Sequence, residues 1–244
     1  YQSWLKIPKT GLMGLCAEKG WDSYVPIRDG FLMALFLGNV AQWNADNPGK
    51  IPPVPGSSIT AQQWAMAGAY MGQAVYGFDC YNLISRCNAC IMNADGIGMD
   101  DGSCVEVGMT TARGQPFVYY RTQNTSNWGY KIINPMISGP AESGRAANDA
   151  YDAVAMLEVL IKDYISNGNY KYVPGVAPPA VYQKLAKVGE AVWNWKFAKH
   201  KLLPSGQLAP GSLSAEWVSL MSDTKYGMAK VAAKICQIIS DVQK

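Results

Sequence analysis

The chain has 244 residues, of which 49% are hydrophobic and 16% charged, with a formal net charge of +3. That length suits one sizeable α/β domain with an extension, or two small domains. The modest charge, with no Lys/Arg-rich block, argues against a nucleic-acid groove, and the longest apolar run, Phe31 to Leu37, is too short to span a bilayer.

Six cysteines stand at 16, 80, 87, 90, 104 and 236. Their spacing suggests no disulfide framework, and no signal-peptide pattern accompanies them. The expectation is reduced thiols in a cytoplasmic protein.

In chain order, Gly11 to Gly20 reads as the end of a helix stopped by glycine. Ser23 to Ile27 reads as a short strand, followed by a turn at Arg28-Asp29-Gly30. Phe31 to Trp43 is apolar, either helical or a packed loop. Asn44 to Ser58 is rich in Pro, Gly and Asn and is long for a loop, which makes it a candidate lid or substrate-facing insertion. Thr60 to Arg86 has helical composition, with Thr60 as N-cap and an interruption expected at Gly77.

Next comes the stretch that carries the chemistry. Ala89 to Ala94 is a short uncharged apolar run, as expected of a parallel strand buried on both faces. Asp95 to Gly102 holds three Gly and three Asp and reads as a loop. Ser103 is positioned to cap a helix that carries Glu106 in its first turn and ends near Gly114. Phe117 to Tyr120 is aromatic and β-branched, hence the next strand. Such a βαβ unit sets its loop at the carboxyl end of a strand, where open α/β sheets bind ligands. The helix dipole would there favour an ionised Glu106.

Ala146 to Ile165 has apolar residues at helical spacing. Ser166 to Pro179 is a Gly/Pro-rich linker, and Ala180 to Lys201 and Ser222 to Lys244 read as two further helices. The pattern predicts a doubly wound, flavodoxin- or Rossmann-like α/β domain with a parallel sheet over residues 1–166. A helical C-terminal extension over residues 167–244 follows it.

Asp79, Asp100 and Glu106 are acids near one predicted crevice. A carboxylate can attack an anomeric carbon, and a second nucleophile can then resolve the glycosyl-enzyme with net retention. The order of the motifs sharpens this. Phe78-Asp79 in a helix is followed by the buried strand. Then come Asp100-Asp-Gly-Ser-Cys-Val-Glu106-Val-Gly, Gly114-Gln-Pro-Phe, and Asn134-Pro-Met136. This series resembles the nucleoside 2-deoxyribosyltransferase family over roughly residues 11 to 166. The Asp-x-Gly-Ser-x-x-Glu pattern from Asp100 to Glu106 is its most specific part. The family's opening strand and Gly-containing loop have no counterpart in these residues.

The resemblance implies that Glu106 is the nucleophile that attacks C1′ of the deoxyribose. It implies that Asp100 binds the sugar hydroxyls and that Asp79 handles the proton of the departing base. Asn134 would reach the 5′ side of the sugar in a neighbouring subunit, with Met136 packed close by, so at least a homodimer is expected. The expected partners are a small-molecule nucleoside and a free nucleobase, with no nucleic acid, no membrane, no metal and no cofactor. A hydrolase of the same fold and a non-catalytic nucleoside sensor are the alternatives.

Other residues have two readings. Arg28 and Asp29 either read the base edge or form a surface ion pair at a turn. Trp21, Trp43, Trp64, Trp128, Tyr119 and Tyr120 either stack on a nucleobase or pack in the core. Cys87-Asn-Ala-Cys90 is formally a CxxC, but no second pair or His accompanies it to close a zinc site. His200, the one histidine, lies in a basic stretch and is expected on a solvated helix end.

Overall fold

A computed structural model describes residues 11–95, 101–122, 135–139, 141, 146–166 and 180–244. In chain order the helices before the first strand are α1 (Leu12–Glu18), α2 (Pro26–Asp29), α3 (Met33–Asp46), α4 (Ala61–Ala65) and α5 (Ala67–Tyr81). A π-helical turn, Asn82–Arg86, then leads into β1 (Cys90–Asn93), α6 (Asp101–Ala112) and β2 (Phe117–Tyr120). After these come α7 (Pro135–Ser138), α8 (Ala150–Ser166), α9 (Ala180–Lys196), α10 (Ala215–Met221) and α11 (Gly227–Val242).

The described residues divide into two units. The first draws on Tyr1–Ser23, Leu83–Ala177 and Leu202–Gln207, the second on Tyr24–Asn82, Pro178–Lys201 and Leu208–Lys244. This division follows other lines than the single boundary expected near residue 166, because α5 and α9 pack against each other in the second unit.

The first unit is mixed α/β. Its two strands are parallel, with Cys90 opposite Phe117 and Asn93 opposite Tyr120. Parallel strands need a crossover, and α6 supplies it, packed against both strands. All four residues of β2 are buried. Beyond β2 the chain returns as a parallel bridge between Tyr120 and Ala147. The helix expected from Ala146 accordingly starts later, at Ala150. The Asp149 carboxylate there accepts from the Asp152 N–H at 2.9 Å, and that of Asp152 from the Asn148 N–H at 2.9 Å. One face of the strands packs with α1 and α8 through Leu12, Leu15, Val118 and Leu157. Met92, Val107, Phe117 and Tyr119 gather in a second cluster.

The second unit is helical. Its core includes Phe36, Trp43, Met71, Phe78, Val192 and Ile235. Thr60 caps α4 in a reciprocal capping box with Gln63, which satisfies two end-of-helix donors. The helical run breaks at Met66, not at the expected Gly77. Gly77 instead lies where α5 meets α9: a Cβ on Gly189 would fall 1.8 Å from the Gly77 carbonyl oxygen.

Four further expectations are corrected. Ser23 to Ile27 is no strand, because Pro26 opens the helical turn α2 and the Asp29 carboxylate accepts from the Val25 N–H at 2.8 Å. The loop after α3 sends Val54 and Ile59 into the core, so it is no simple lid. The helix expected to reach Lys201 stops at Lys196, where Phe197 bridges Leu213. Finally, α10, capped by the Ser214 hydroxyl, precedes α11, which starts only at Gly227.

Candidate functional site

The carboxyl ends of β1 and β2 converge just past Asn93 and Tyr120. The Ala94 N–H still donates to the Tyr120 carbonyl at 2.9 Å, so the two chains leave the sheet together. Asp95 follows at once. Its N–H donates to Asn93 Oδ1 at 2.9 Å, and its carboxylate accepts from the Thr122 N–H at 2.7 Å and the Thr122 hydroxyl at 2.6 Å. A half-buried carboxylate is thereby fixed at the end of two parallel strands, the usual ligand position of such sheets. Sequence reading took Asp95 only as part of a loop; the available signal was an acid directly after a buried strand.

Glu106 is half-buried on α6. The helix opens at Asp101, so Ser103 lies inside it and Glu106 stands in the second turn, not the first. The dipole argument made for it weakens, since that effect fades beyond one turn. Val107 and Thr110 are buried on the same helix, and the Thr110 hydroxyl donates to the Glu106 carbonyl at 2.9 Å. Burial, and then the Glu106 charge, push the Cys90 thiol up to about 12, against a hydrogen bond with Thr110. Upstream, the Gln115 amide donates to the carbonyls of Leu83 at 3.1 Å and Cys87 at 2.6 Å, tying the approach to β1 onto the start of β2.

Asp100, Asn134 and the side chain of Met136 lie outside the described residues, as do Trp128 and residues 167–179. Asp79 is described, on α5 of the second unit. The Tyr24 hydroxyl donates to its carboxylate. Burial raises the Asp79 carboxyl to about 6, against the opposing effect of that hydrogen bond.

Arg28 and Asp29 do form an ion pair, but a buried one. Their side chains are 7% and 0% exposed, with 2.6 Å between Arg28 Nη2 and Asp29 Oδ2. His200 is not on a solvated end either: its side chain is 4% exposed, and Nε2 lies 3.2 Å from Asp29 Oδ1. It packs against Trp193 and Phe197. Burial pushes the Asp29 carboxyl up, but the hydrogen bonds with His200 and Arg28, the Arg28 charge and the Val25 N–H outweigh it and hold it low.

Lys196, missed in the sequence, completes this cluster. Its ammonium donates to the backbone carbonyls of Asp29 at 2.6 Å and Gly30 at 2.8 Å. It lies 4.6 Å from the ring centroids of both Phe31 and Trp217, an arrangement that stabilises a desolvated cation. Burial still lowers it to about 8, against the upward pull of Asp29.

Tyr119, Tyr120, Trp43 and Trp64 are buried. The Trp43 and Trp64 indoles donate to the Lys50 carbonyl and Asn44 Oδ1, each at 2.8 Å. Among the described residues every cysteine is free, none stands in a cluster of three or more metal-ligating side chains, and no helix is long and apolar enough to cross a membrane.

Comparison with known proteins returns no counterpart: no family model, curated protein or solved structure matches this chain. The class that the fold defines is therefore architectural: among the described residues, a mixed α/β protein with a two-stranded parallel sheet.

Proposed function

We propose that the protein transfers a 2-deoxyribosyl group between nucleobases through a covalent intermediate on Glu106, on a doubly wound, flavodoxin- or Rossmann-like domain with a helical extension. The observation that carries this reading is the parallel β1–α6–β2 unit. It bears Gly102, Ser103 and Glu106 of the Asp-x-Gly-Ser-x-x-Glu pattern on its crossover helix and a fixed acid, Asp95, at the strand ends.

In the first step a Glu106 carboxylate oxygen bonds to C1′ as the C1′–N bond to the base breaks, and the base leaves with a proton. A second base then attacks C1′ and releases the carboxylate. A 2-deoxy sugar lacks the electron-withdrawing 2′-hydroxyl, so its oxocarbenium-like transition state is within reach of a fixed carboxylate. The role of Asp79, handling the proton of the departing base, comes from the family resemblance alone. The Asp79 carboxyl, raised to about 6, suits proton transfer near neutrality.

The test is incubation of a 2-deoxynucleoside with and without a second free base. A transferase makes the new nucleoside only when the second base is present. Release of base regardless of acceptor identifies the hydrolase, and tight binding without release identifies a sensor. A 2-fluoro-deoxynucleoside should leave a sugar adduct on Glu106, read by peptide mass spectrometry. A folded Glu106→Ala variant that keeps most of the turnover refutes the assignment.

A further inference from the structure

Of the six cysteines, Cys87 and Cys90 stand closest in the chain, with only Asn88 and Ala89 between them. That spacing beside a βαβ unit is one used for thiol–disulfide chemistry, and the reaction proposed above makes no use of it. Both residues are half-buried in the first unit, whereas Cys16, Cys80 and Cys236 are buried. Neither Cys87 nor Cys90 is in a disulfide.

The fold holds the two ends of this tetrapeptide and leaves its middle irregular. The π-helical turn ends at Arg86 and β1 begins at Cys90. Cys87 to Ala89 therefore belong to no helix or strand, and the chain bends at Asn88. At one end the Gln115 amide donates to the Cys87 carbonyl at 2.6 Å. At the other the Cys90 N–H donates to the Pro116 carbonyl at 2.9 Å. Two consecutive residues leading into β2 thus clasp both cysteines. Three extended residues reach about 10 Å at most, and a disulfide takes Cα atoms roughly 4.4–6.8 Å apart. The bend shortens the span, and Cys87 is near enough to Cys90 to bear on its ionisation.

The surroundings of Cys90 favour a bonded sulfur over a thiolate. A disulfide becomes strongly oxidising when its site stabilises the reduced thiolate. Here burial and the Glu106 charge oppose the thiolate, so the reduced pair gains no such help. The Thr110 hydroxyl already donates to the Glu106 carbonyl at 2.9 Å, so loss of the Cys90 thiol proton leaves that donor satisfied. Because Cys90 ionises with difficulty, Cys87 meets the reagent first. Cys90 then attacks from within the same tetrapeptide, at an effective concentration that no free thiol matches.

We propose that Cys87 and Cys90 form a thiol–disulfide exchange site, closing to an intramolecular disulfide at the expense of a small disulfide such as oxidised glutathione. The Cys87 thiolate attacks one sulfur of the oxidant, forming a mixed disulfide and expelling one glutathione thiolate. Cys90 gives up its proton and attacks the Cys87 sulfur, expelling the second. The protein loses two electrons, and the protons of the two cysteines end on the two glutathione molecules. This is independent of the reaction proposed above.

The test incubates the full chain with oxidised glutathione, quenches with acid, alkylates in denaturant and reads peptide masses before and after dithiothreitol. The wild type is expected to lose two hydrogens from the peptide holding Cys87 and Cys90, and to regain them on reduction. Cys104 shares the apolar cluster of Cys90, so Cys104→Ser is included and should leave the disulfide in place. Cys90→Ser should stall with glutathione on Cys87, carrying about tenfold more adduct than the wild type. Cys87→Ser should form neither product. Circular dichroism checks that each variant folds, and the wild-type result alone decides where one does not. A wild type that keeps all six thiols overturns the proposal. So does one that stops at glutathione on Cys87, or a disulfide that disappears in a folded Cys104→Ser.

Discussion

Gly189 of α9 lies so close to Gly77 of α5 that the two backbones touch with no room for a side chain between them: a Cβ on Gly189 would meet the Gly77 carbonyl carbon at 2.3 Å. Backbone cannot swing aside as a long side chain can, so even one methyl group must push the helices apart. Gly189→Ala is expected to destabilise the second unit by about 3 kcal/mol, at the upper end of over-packing effects. The midpoint of urea unfolding measures it. A gain in stability, as expected of Gly→Ala in an unobstructed helix, would refute the close contact.

Asp29 pairs with both Arg28 and His200 through its carboxylate, and its backbone carbonyl accepts from Lys196. Asp29→Asn removes the carboxylate charge that the buried Arg28 and Lys196 side chains face and is expected to lower stability by about 3–5 kcal/mol at neutral pH. Because the folded-state carboxyl is held below its ordinary value of 3.8, the contribution is present above that value and lost as pH falls through the folded pKa. The loss on substitution should therefore shrink in acid, which paired unfolding curves of the two proteins would reveal.

Asp79 behaves in the opposite sense. Its carboxyl is raised from 3.8 to about 6, so its contribution is full below 3.8 and disappears as pH rises through 6. Asp79→Asn should flatten the pH dependence of stability across that window and leave the protein relatively more stable than wild type above it. Tyr24→Phe removes a hydrogen bond that favours the carboxylate, and should move the inflection to still higher pH. An unchanged inflection in both variants would show that another group titrates there.

The thiols give a chemical reading of burial. Burial is the main cause that pushes Cys80 to about 11 and Cys90 and Cys236 to about 12. A thiol at 12 is ionised in only about one molecule in ten thousand at pH 8, and the thiolate is the reactive form. Iodoacetamide should spare these three in the folded protein and label them in denaturant, as mapped by peptide mass. Glu106→Gln removes one of the influences that raise Cys90, so Cys90 should be the thiol whose labelling quickens most. Equal rates in the two proteins would mean that Glu106 does not face Cys90.

How far the sequence disclosed this molecule depended on the range of the cause. Ala89 to Ala94 and Phe117 to Tyr120 were legible as parallel strands because their apolar runs leave few other options, and the intervening helix was read from Ser103 as its cap and Gly114 at its end, although Ser103 lies inside it. Thr60 was legible because capping is chemistry within four residues. Ser23 to Ile27 misled because its extended composition is overruled by Pro26 and by Asp29 reaching back to Val25. His200 and Lys196 were illegible for another reason. Their partners lie about 170 residues earlier in the chain, and nothing in a basic stretch announces that two of its members turn inward. Asp95 sat in plain view, but only the paired exit of the two strands gives it a fixed partner in Thr122.

The second unit is assembled from three stretches of chain, with most of the first unit threaded between the first of them, Tyr24–Asn82, and the other two. Cutting at the Gly/Pro-rich stretch near residue 170, the obvious place to shorten this protein, would take α9 and α11 away from α5 and uncover Phe78 and Met71. Neither product would be a free-standing module. The two fragments should regain solubility only when expressed together, each completing the other's fold.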